Sequence, residues 1–136
     1  MKISIITVSY NSAQTIEDTI KSVLAQNFQE LEYIIIDGGS KDNTMEIVNK
    51  YQDKITKIIS EPDKGIYDAM NKGIQLATGD LVGILNSDDF YFDNSVLNTV
   101  ATCFQKDIDA CYGNIEYVDR VDIKKTVRFF LVANIL

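Results

Sequence analysis

Two adjacent aspartates, Asp88 and Asp89, follow an apolar run that ends at Leu85. Like charges this close repel each other, and each raises the pKa of the other unless a cation or strong hydrogen-bond donors compensate. Asn86 and Ser87 separate the run from the pair, so four polar side chains stand in a row. The stretch is typical either of loop acids that cap a following helix or of a metal site.

The elements that must position this stretch alternate along the chain. Runs rich in β-branched residues predict strands, and apolar positions three or four apart predict helices between them. The predicted strands cover residues 3–8, 33–36, 57–60, 81–85, 110–118 and 126–131. Four helices are predicted. The first begins at Thr15, the second runs from Asp42 or Asn43 to Tyr51, and the third and fourth cover residues 65–77 and 93–105. This alternation predicts one α/β domain with a mostly parallel sheet.

Local signals sharpen the helix predictions. Thr15 begins a capping-box sequence, and Asp42 or Asn43 is suited to cap the second helix. The third helix should bury a stripe formed by Ile66, Met70, Ile74 and Ala77. Cys103 and Cys111 are not spaced as a CxxC pair and are expected to be reduced packing residues.

The carboxyl ends of the first four strands are all polar, small or acidic. They comprise residues 7–11, 37–40, 61–65 and 86–89. In an open parallel sheet, ligands bind beyond these ends, so the four segments should lie at one edge. No Walker A sequence occurs, and no GxGxxG follows the first strand. The acidic pair after the fourth strand also differs from a receiver-type phosphoacceptor domain, which carries its pair after the first.

Composition excludes several classes of function. The 136-residue chain has a net charge of −7, which argues against a nucleic-acid surface. It contains no histidine, so Ser-His-Asp and Cys-His catalysis are excluded and a structural zinc site is improbable. The first twelve residues are too short and too polar for a signal peptide or a membrane span, which predicts a cytoplasmic protein.

Four motifs in order resemble the family 2 glycosyltransferases, inverting enzymes with the GT-A fold. They read ISIITVSYNSAQTIEDTIKSVLAQ, EYIIIDGGSKDNT, DKGIYDAMNKGIQLATGDLVGILNSDD and YGNIEYVD. The resemblance implies a Rossmann-like nucleotide-diphospho-sugar transferase fold, with helices on both faces of a mostly parallel sheet. It also implies a nucleotide-sugar donor, most readily a UDP-sugar, and an acceptor in surface polysaccharide or lipid-linked glycan synthesis.

The resemblance assigns roles at the acidic positions. Asp89 matches the last residue of the DxD-like motif and would bind Mn²⁺ or Mg²⁺, while Asp88 would hold the ribose or a metal-bound water. Asn86 departs from the aspartate that many relatives carry there. Asp37 resembles the residue that accepts the N3–H of uracil, although it could also be a simple turn residue.

Further positions match the donor site of the family. Thr7, Ser9, Asn11, Gly38 and Ser87 would line the nucleotide pocket, although the hydroxyls and the amide could equally be edge polarity at strand ends. Lys64 would approach phosphate, and Asp68 and Asn71 would approach the nucleotide or the sugar. Asp68 and Lys72 also have the spacing of an exposed ion pair on one helical turn.

Only the donor-binding half of the family pattern is recognisable. Residues 1–120 form the predicted nucleotide-sugar domain, and 121–136 would begin a truncated acceptor-side region whose catalytic base lies beyond the chain end. Two hypotheses follow, a glycosyltransferase portion and a non-catalytic nucleotide-sugar-binding module that acts with a partner subunit. The apolar segment 129–136 predicts a homodimer, and the parent protein is expected in the cytoplasm or at the inner membrane face.

Overall fold

The computed structural model describes residues 1–105 and 107–130. Two compact units divide the chain, the first Met1–Ala101 and the second beginning at Thr102. The predicted division at residue 120 is a functional one and stays a prediction. The elements are β1 (Ile3–Ser9), α1 (Ile16–Leu24), β2 (Leu31–Asp37), α2 (Thr44–Asn49), a 3₁₀ turn (Gln52–Lys54), β3 (Lys57–Ser60), α3 (Ile66–Leu76), β4 (Leu81–Ile84), α4 (Val96–Cys103), β5 (Ile115–Val118) and β6 (Thr126–Phe130).

The first unit is built on a four-stranded sheet in the order β3-β2-β1-β4. Every pair of neighbours is parallel, as predicted. The register places Ser9 of β1 opposite Asp37 of β2, and Asp37 opposite Ser60 of β3. The polar strand ends therefore meet at one edge of the sheet.

Helices cover both faces of this sheet. On one face, Ile5 and Ile35 pack with residues of α1, α2 and α4, such as Ile20, Val48 and Leu97. On the other face, a second cluster packs against Ala69 of α3; its sheet residues are Ile6, Val8, Ile34 and Ile36. β1 is buried along its whole length, so neither of its faces is exposed to solvent, which is typical of a central parallel strand.

The buried face of α3 differs from the predicted stripe. Ile66 is 49% exposed and Ile74 is 47% exposed, whereas Ala69 and Gly73 are buried. A Cβ on Gly73 would lie 2.5 Å from Ile6 Cγ2, far inside van der Waals contact. The helix therefore approaches β1 through its smallest residues. Of the predicted stripe, Met70 and Ala77 are partly buried and pack against this cluster, whereas the two isoleucines are half-exposed.

The starts of α1 and α2 use different polar contacts from those predicted. Thr15 precedes α1 as expected but makes no side-chain capping bond, since its hydroxyl donates back to the Ser12 carbonyl at 3.5 Å. Of the two residues proposed to cap α2, Asp42 lies one residue before the cap position and accepts the Thr44 N–H at 3.0 Å. Asn43 makes no capping bond, and α2 ends at Asn49.

The second unit contains an antiparallel pair formed by β5 and β6, with Glu116 opposite Phe129. Both strands lie inside the predicted ranges. Cys103 and Cys111 are free but exposed, so the expectation that they pack in a core is wrong. Among the described residues, no helix is long and apolar enough to cross a bilayer. The segment expected to mediate dimerisation lies almost wholly outside the described residues.

Candidate functional site

Asp37 is the most heavily bonded side chain at the carboxyl edge of the sheet. It is fully buried. Its carboxylate accepts the hydroxyls of Ser9 at 3.0 Å, Ser40 at 2.5 Å and Ser60 at 2.8 Å. It also accepts the backbone N–H groups of Gly39 at 3.1 Å and Ser40 at 2.9 Å. Asp37 therefore joins the ends of three neighbouring strands.

These hydrogen bonds favour the ionised form of Asp37. Burial acts to raise its pKa, but the hydrogen bonds from Ser40, Ser60 and Ser9 outweigh burial and lower the pKa below the usual value for aspartate. Since both carboxylate oxygens are already engaged, a base could reach Asp37 only if the following loop released it. The contact of Asp37 with uracil therefore stays a prediction.

The segment that follows β1 is hydrogen-bonded to the loop after β2. Asn11 has a left-handed backbone conformation, with φ of 47°. Its side-chain Oδ1 accepts the Lys41 N–H at 2.8 Å, and its own N–H donates to Ser40 Oγ at 2.8 Å. Thr7 lies deeper, where its buried hydroxyl contacts the Tyr33 hydroxyl at 3.1 Å. Of the three residues proposed for the pocket in β1 and the loop after it, Asn11 and Ser9 thus organise the edge, and the Thr7 hydroxyl lies beneath it.

The end of β4 is held in the same manner, and it leaves one atom without a partner. Ser87 Oγ lies 2.7 Å from Ser12 Oγ, and Thr19 donates to the Asp89 carbonyl at 2.7 Å. The Asp89 N–H donates to the Asn86 carbonyl at 3.0 Å, which closes a tight turn. Asn86 Oδ1 is buried and has no hydrogen-bond partner. An orphaned buried acceptor is costly, so it calls for a donor or a cation.

The pKa of Asp89 is shifted in the direction expected for one member of an acidic pair. Its pKa is raised, first because the carboxyl is partly desolvated and second because Asp88 is a like charge, while a hydrogen bond from Asn86 acts in the opposite direction. A cation placed here would relieve that repulsion.

The residues at this edge fit a hard divalent cation. Among the described residues, no three His, Cys, Asp or Glu side chains form a metal cluster by themselves. Mg²⁺ and similar ions are commonly held by one or two carboxylates plus phosphate oxygens, rather than by a closed protein cage. Asp88, Asp89 and the unpartnered Asn86 oxygen could supply the protein share of such a shell.

The loop before α3 and the first turns of α3 carry Lys64, Asp68 and Asn71. Asp68 accepts the Lys64 N–H at 3.0 Å and lies 3.6 Å from Lys72 Nζ, so the expected ion pair on one helical turn is present. Lys72 also pairs with Glu61 at 3.1 Å. The side chains of Lys64 and Asn71 are exposed, and their proposed contacts with phosphate and sugar stay predictions.

Several residues of this edge were not singled out from the sequence. Ser40, Ser60, Ser12 and Thr44 build the hydrogen-bonded frame, and Asp63 stands beside Gly38. Small hydroxyl residues near strand ends were the available signal, because such side chains readily bond to nearby carboxylates and backbone groups. Their partners lie on other strands, so the sequence alone could not pair them.

The chain belongs to glycosyl transferase family 2, whose family model matches residues 4–130. Among its relatives is UDP-Glc:alpha-D-GlcNAc-diphosphoundecaprenol beta-1,3-glucosyltransferase WfgD from Escherichia coli. The two are 33% identical over 122 residues, which is 89% of this chain and 48% of WfgD. The chain spans about a third to a half of the length of the curated relatives that it matches.

Solved structures share the fold. S. aureus TarS 1–349 in complex with UDP-GlcNAc is 29% identical, with a TM-score of 0.70 over 77% of this chain and 31% of TarS. The mannosyltransferase PcManGT from Pyrobaculum calidifontis, in complex with GDP-Man and Mn²⁺, reaches a TM-score of 0.77 at 20% identity. That match covers 85% of this chain and 36% of PcManGT, and at this identity it shows the fold alone. The GT-A fold expected from the motifs is confirmed.

Proposed function

We propose that this chain is the donor-binding portion of an inverting glycosyltransferase that uses a UDP-sugar and a divalent cation, Mn²⁺ or Mg²⁺. The observation that carries the proposal is the buried, unpartnered Asn86 Oδ1 beside Asp89, whose pKa is raised. Both the unsatisfied acceptor and the repelled carboxylate favour a cation at the end of β4. WfgD and TarS, which are named or solved with UDP-sugars, support uridine as the nucleotide.

The residues of the chain divide the work of holding the donor. Asp88, Asp89 and Asn86 would hold the cation, which neutralises the charge of the departing diphosphate. The two hydrogen bonds between Asn11 and the loop after β2 would keep the edge rigid, so that little conformational entropy of the loop is lost when the nucleotide binds. Lys64, exposed in the loop before α3, is available to a phosphate oxygen.

Calorimetric titration of UDP tests this proposal. We expect binding in the presence of Mn²⁺ that weakens when EDTA removes the ion. Asp89→Asn should lower the Mn²⁺-dependent affinity by about tenfold or more, since one charged oxygen ligand is lost. Asn86→Ala should lower it less, because the lost ligand is neutral. Asp53→Asn removes an equal charge from an exposed aspartate outside the strand-end loops and serves as the control.

The outcome separates the two parts of the proposal. A UDP affinity that is unchanged by EDTA and by Asp89→Asn would refute the cation at the end of β4. No UDP binding under any condition would refute the donor site itself.

Turnover distinguishes the transferase from a binding-only module. The chain is incubated with UDP-sugars and a panel of sugar and lipid-linked acceptors, and transfer is followed by mass spectrometry. Transfer by this chain alone would rule out the module, whereas UDP-sugar binding without transfer would favour it.

A further inference from the structure

The loop between β3 and α3 and the first turns of α3 bring three carboxylates and two lysines together. Glu61 and Asp63 lie in the loop, Asp68 lies in the first turn of α3, and Lys72 follows Asp68 by one helical turn. Lys64 is the only basic residue in the four polar segments at the carboxyl ends of the strands. The carboxylates outnumber the lysines, so the pairing between them decides which lysine is left for a ligand.

Lys72 pairs with two of the three carboxylates. Its Nζ lies 3.1 Å from Glu61 Oε1 and 3.6 Å from Asp68 Oδ2. The pKa of Lys72 is raised, first by its hydrogen bond with Glu61 and further by the charges of Glu61, Asp68 and Asp63, while burial acts in the opposite direction. Lys72 is therefore the counter-ion of this acidic group.

Lys64 is held by its backbone and not by its ammonium group. Its N–H donates to Asp68 Oδ2 at 3.0 Å, which fixes the chain at this position. Among the residues that the structure describes, no carboxylate forms an ion pair with Lys64 Nζ, and the side chain is exposed. Two lysines near the same acids thus differ, since Lys72 is engaged and the charge of Lys64 is left for another partner.

We propose that Lys72 is a positioning residue: by pairing with Glu61 and Asp68, it leaves the Lys64 ammonium to the diphosphate of the donor, and the inference rests on the proposed function. Without Lys72, the two carboxylates would compete with phosphate for Lys64, because opposite charges attract strongly at these distances. Ion pairs between partly exposed side chains contribute little to stability, so the loss of Lys72 should affect ligand binding more than folding.

Titration of UDP in the presence of Mn²⁺ tests this role through a double-mutant cycle. Lys64→Met should lower UDP affinity by about tenfold, since a charged contact with phosphate is lost. Lys72→Met should lower it by a similar factor, because Glu61 and Asp68 then capture the Lys64 ammonium. The double variant should bind UDP no more weakly than Lys64→Met alone, as expected when one residue acts through the other.

Two rescue variants separate this role from a merely structural one. Lys72→Arg keeps the positive charge and should keep most of the UDP affinity. In the Lys72→Met background, Glu61→Gln should restore part of the affinity, because it removes one of the carboxylates that compete for Lys64. A structural role of Lys72 predicts no such recovery.

A matched control comes from α1, where Lys21 pairs with Glu17 one helical turn away at 3.7 Å. Lys21→Met removes an equal charge and an equivalent ion pair, and it should leave UDP affinity unchanged. Uridine, which has no phosphate, should bind equally to all the variants in ligand-observed NMR titrations. Thermal melting of each variant verifies that it is folded.

The results distinguish failure of this inference from failure of the proposed function. UDP binding that is unchanged in Lys72→Met, or losses that add in the double variant, would overturn the role of Lys72 and leave the donor site standing. Equal losses of UDP and uridine affinity in Lys72→Met would also overturn it, since the effect would not pass through phosphate. A chain that binds no UDP under any condition would overturn the donor site and the role of Lys72 together.

Discussion

β2 carries a buried carboxylate at each end, and the two have different neighbours. At its amino end, Glu32 accepts the Ser4 hydroxyl at 2.6 Å and the N–H and hydroxyl of Thr78 at 2.7 and 2.9 Å. Lys2 lies 3.5 Å away and supplies a positive charge. At its carboxyl end, Asp37 is held by three serine hydroxyls and two backbone N–H groups.

The two carboxylates connect different parts of the molecule. Glu32 connects β1 and β2 to the segment that leads from α3 to β4, all of which are parts of the frame. Asp37 connects strand ends to the loops that would contact a ligand. The same arrangement of a buried carboxylate with several donors therefore stabilises the frame at one edge and fixes the loops of the proposed donor site at the other. Asp89 differs from both, because its pKa is raised rather than lowered.

Asp37→Ala should have the largest effect on stability. It leaves several buried donors without an acceptor, and we expect a loss of about 3 kcal/mol in the free energy of unfolding. UDP affinity should fall as well, since the loop after β2 loses its anchor. Urea denaturation measures the first effect and calorimetry the second. Ser60→Ala, which removes a single donor, should cost about 1 kcal/mol; equal losses in the two variants would contradict the organising role of Asp37.

Glu32→Gln should lower stability by about 2 kcal/mol, because a neutral amide replaces a carboxylate that accepts charge-assisted bonds. In contrast to Asp37→Ala, it should leave UDP affinity unchanged, since Glu32 lies at the opposite edge. A fall in UDP affinity similar to that of Asp37→Ala would remove the distinction between the two edges. Lys2→Ala, which breaks a partly exposed ion pair, should have a smaller effect, of about 0.5 kcal/mol.

The stabilising effect of Glu32 should depend on pH in a defined direction. Burial acts to raise its pKa, but the bonds from Ser4 and Thr78, together with Lys2, lower it to about 2 from 4.5. A lowered pKa means that the stabilisation is full above about pH 5 and disappears as the pH falls toward 2. Unfolding curves of the unaltered chain and of Glu32→Gln should therefore converge in acid. A constant difference between pH 7 and pH 3 would contradict this.

Asp89→Asn should have the smallest effect on stability, and of the opposite sign. Because the folded-state pKa of Asp89 is raised, its ionised form opposes folding once the pH exceeds that pKa. Without metal, the variant should melt slightly higher than the unaltered chain at pH 7. With Mn²⁺, the order should reverse, because only the unaltered chain gains the full stabilisation from binding. Differential scanning fluorimetry in EDTA and in Mn²⁺ measures both; a lower melting temperature of the variant in EDTA would show that Asp89 is a structural residue.

The sequence predicted the sheet more reliably than the faces of its elements. The apolar runs of β1 and β2 located the strands, and the rule that parallel strand ends meet at one edge correctly brought the polar ends of these strands together. A strand that is apolar on both faces, however, does not reveal which way Asp37 points. Its side chain proved to lie among those of Ser9, Ser40 and Ser60.

The buried face of α3 was predicted only in part, because periodicity ranks residues by size and apolarity; Met70 and Ala77 do pack against the sheet. Ile66 and Ile74 scored as core positions, yet close approach to β1 favours Ala69 and Gly73. The unpartnered oxygen of Asn86 could not be predicted from the sequence either, since it depends on a turn whose hydrogen bonds form only in the folded chain.

Gly73 sets how closely α3 can approach the sheet. No side chain separates α3 from Ile6 at this point, since a Cβ on Gly73 would lie 2.5 Å from Ile6 Cγ2. A larger residue there would have to displace Ile6 or lift the helix, and the loop that leads into α3 would move with it. The position of a loop at the carboxyl edge of the sheet therefore depends on a glycine in the interior of the helix that follows.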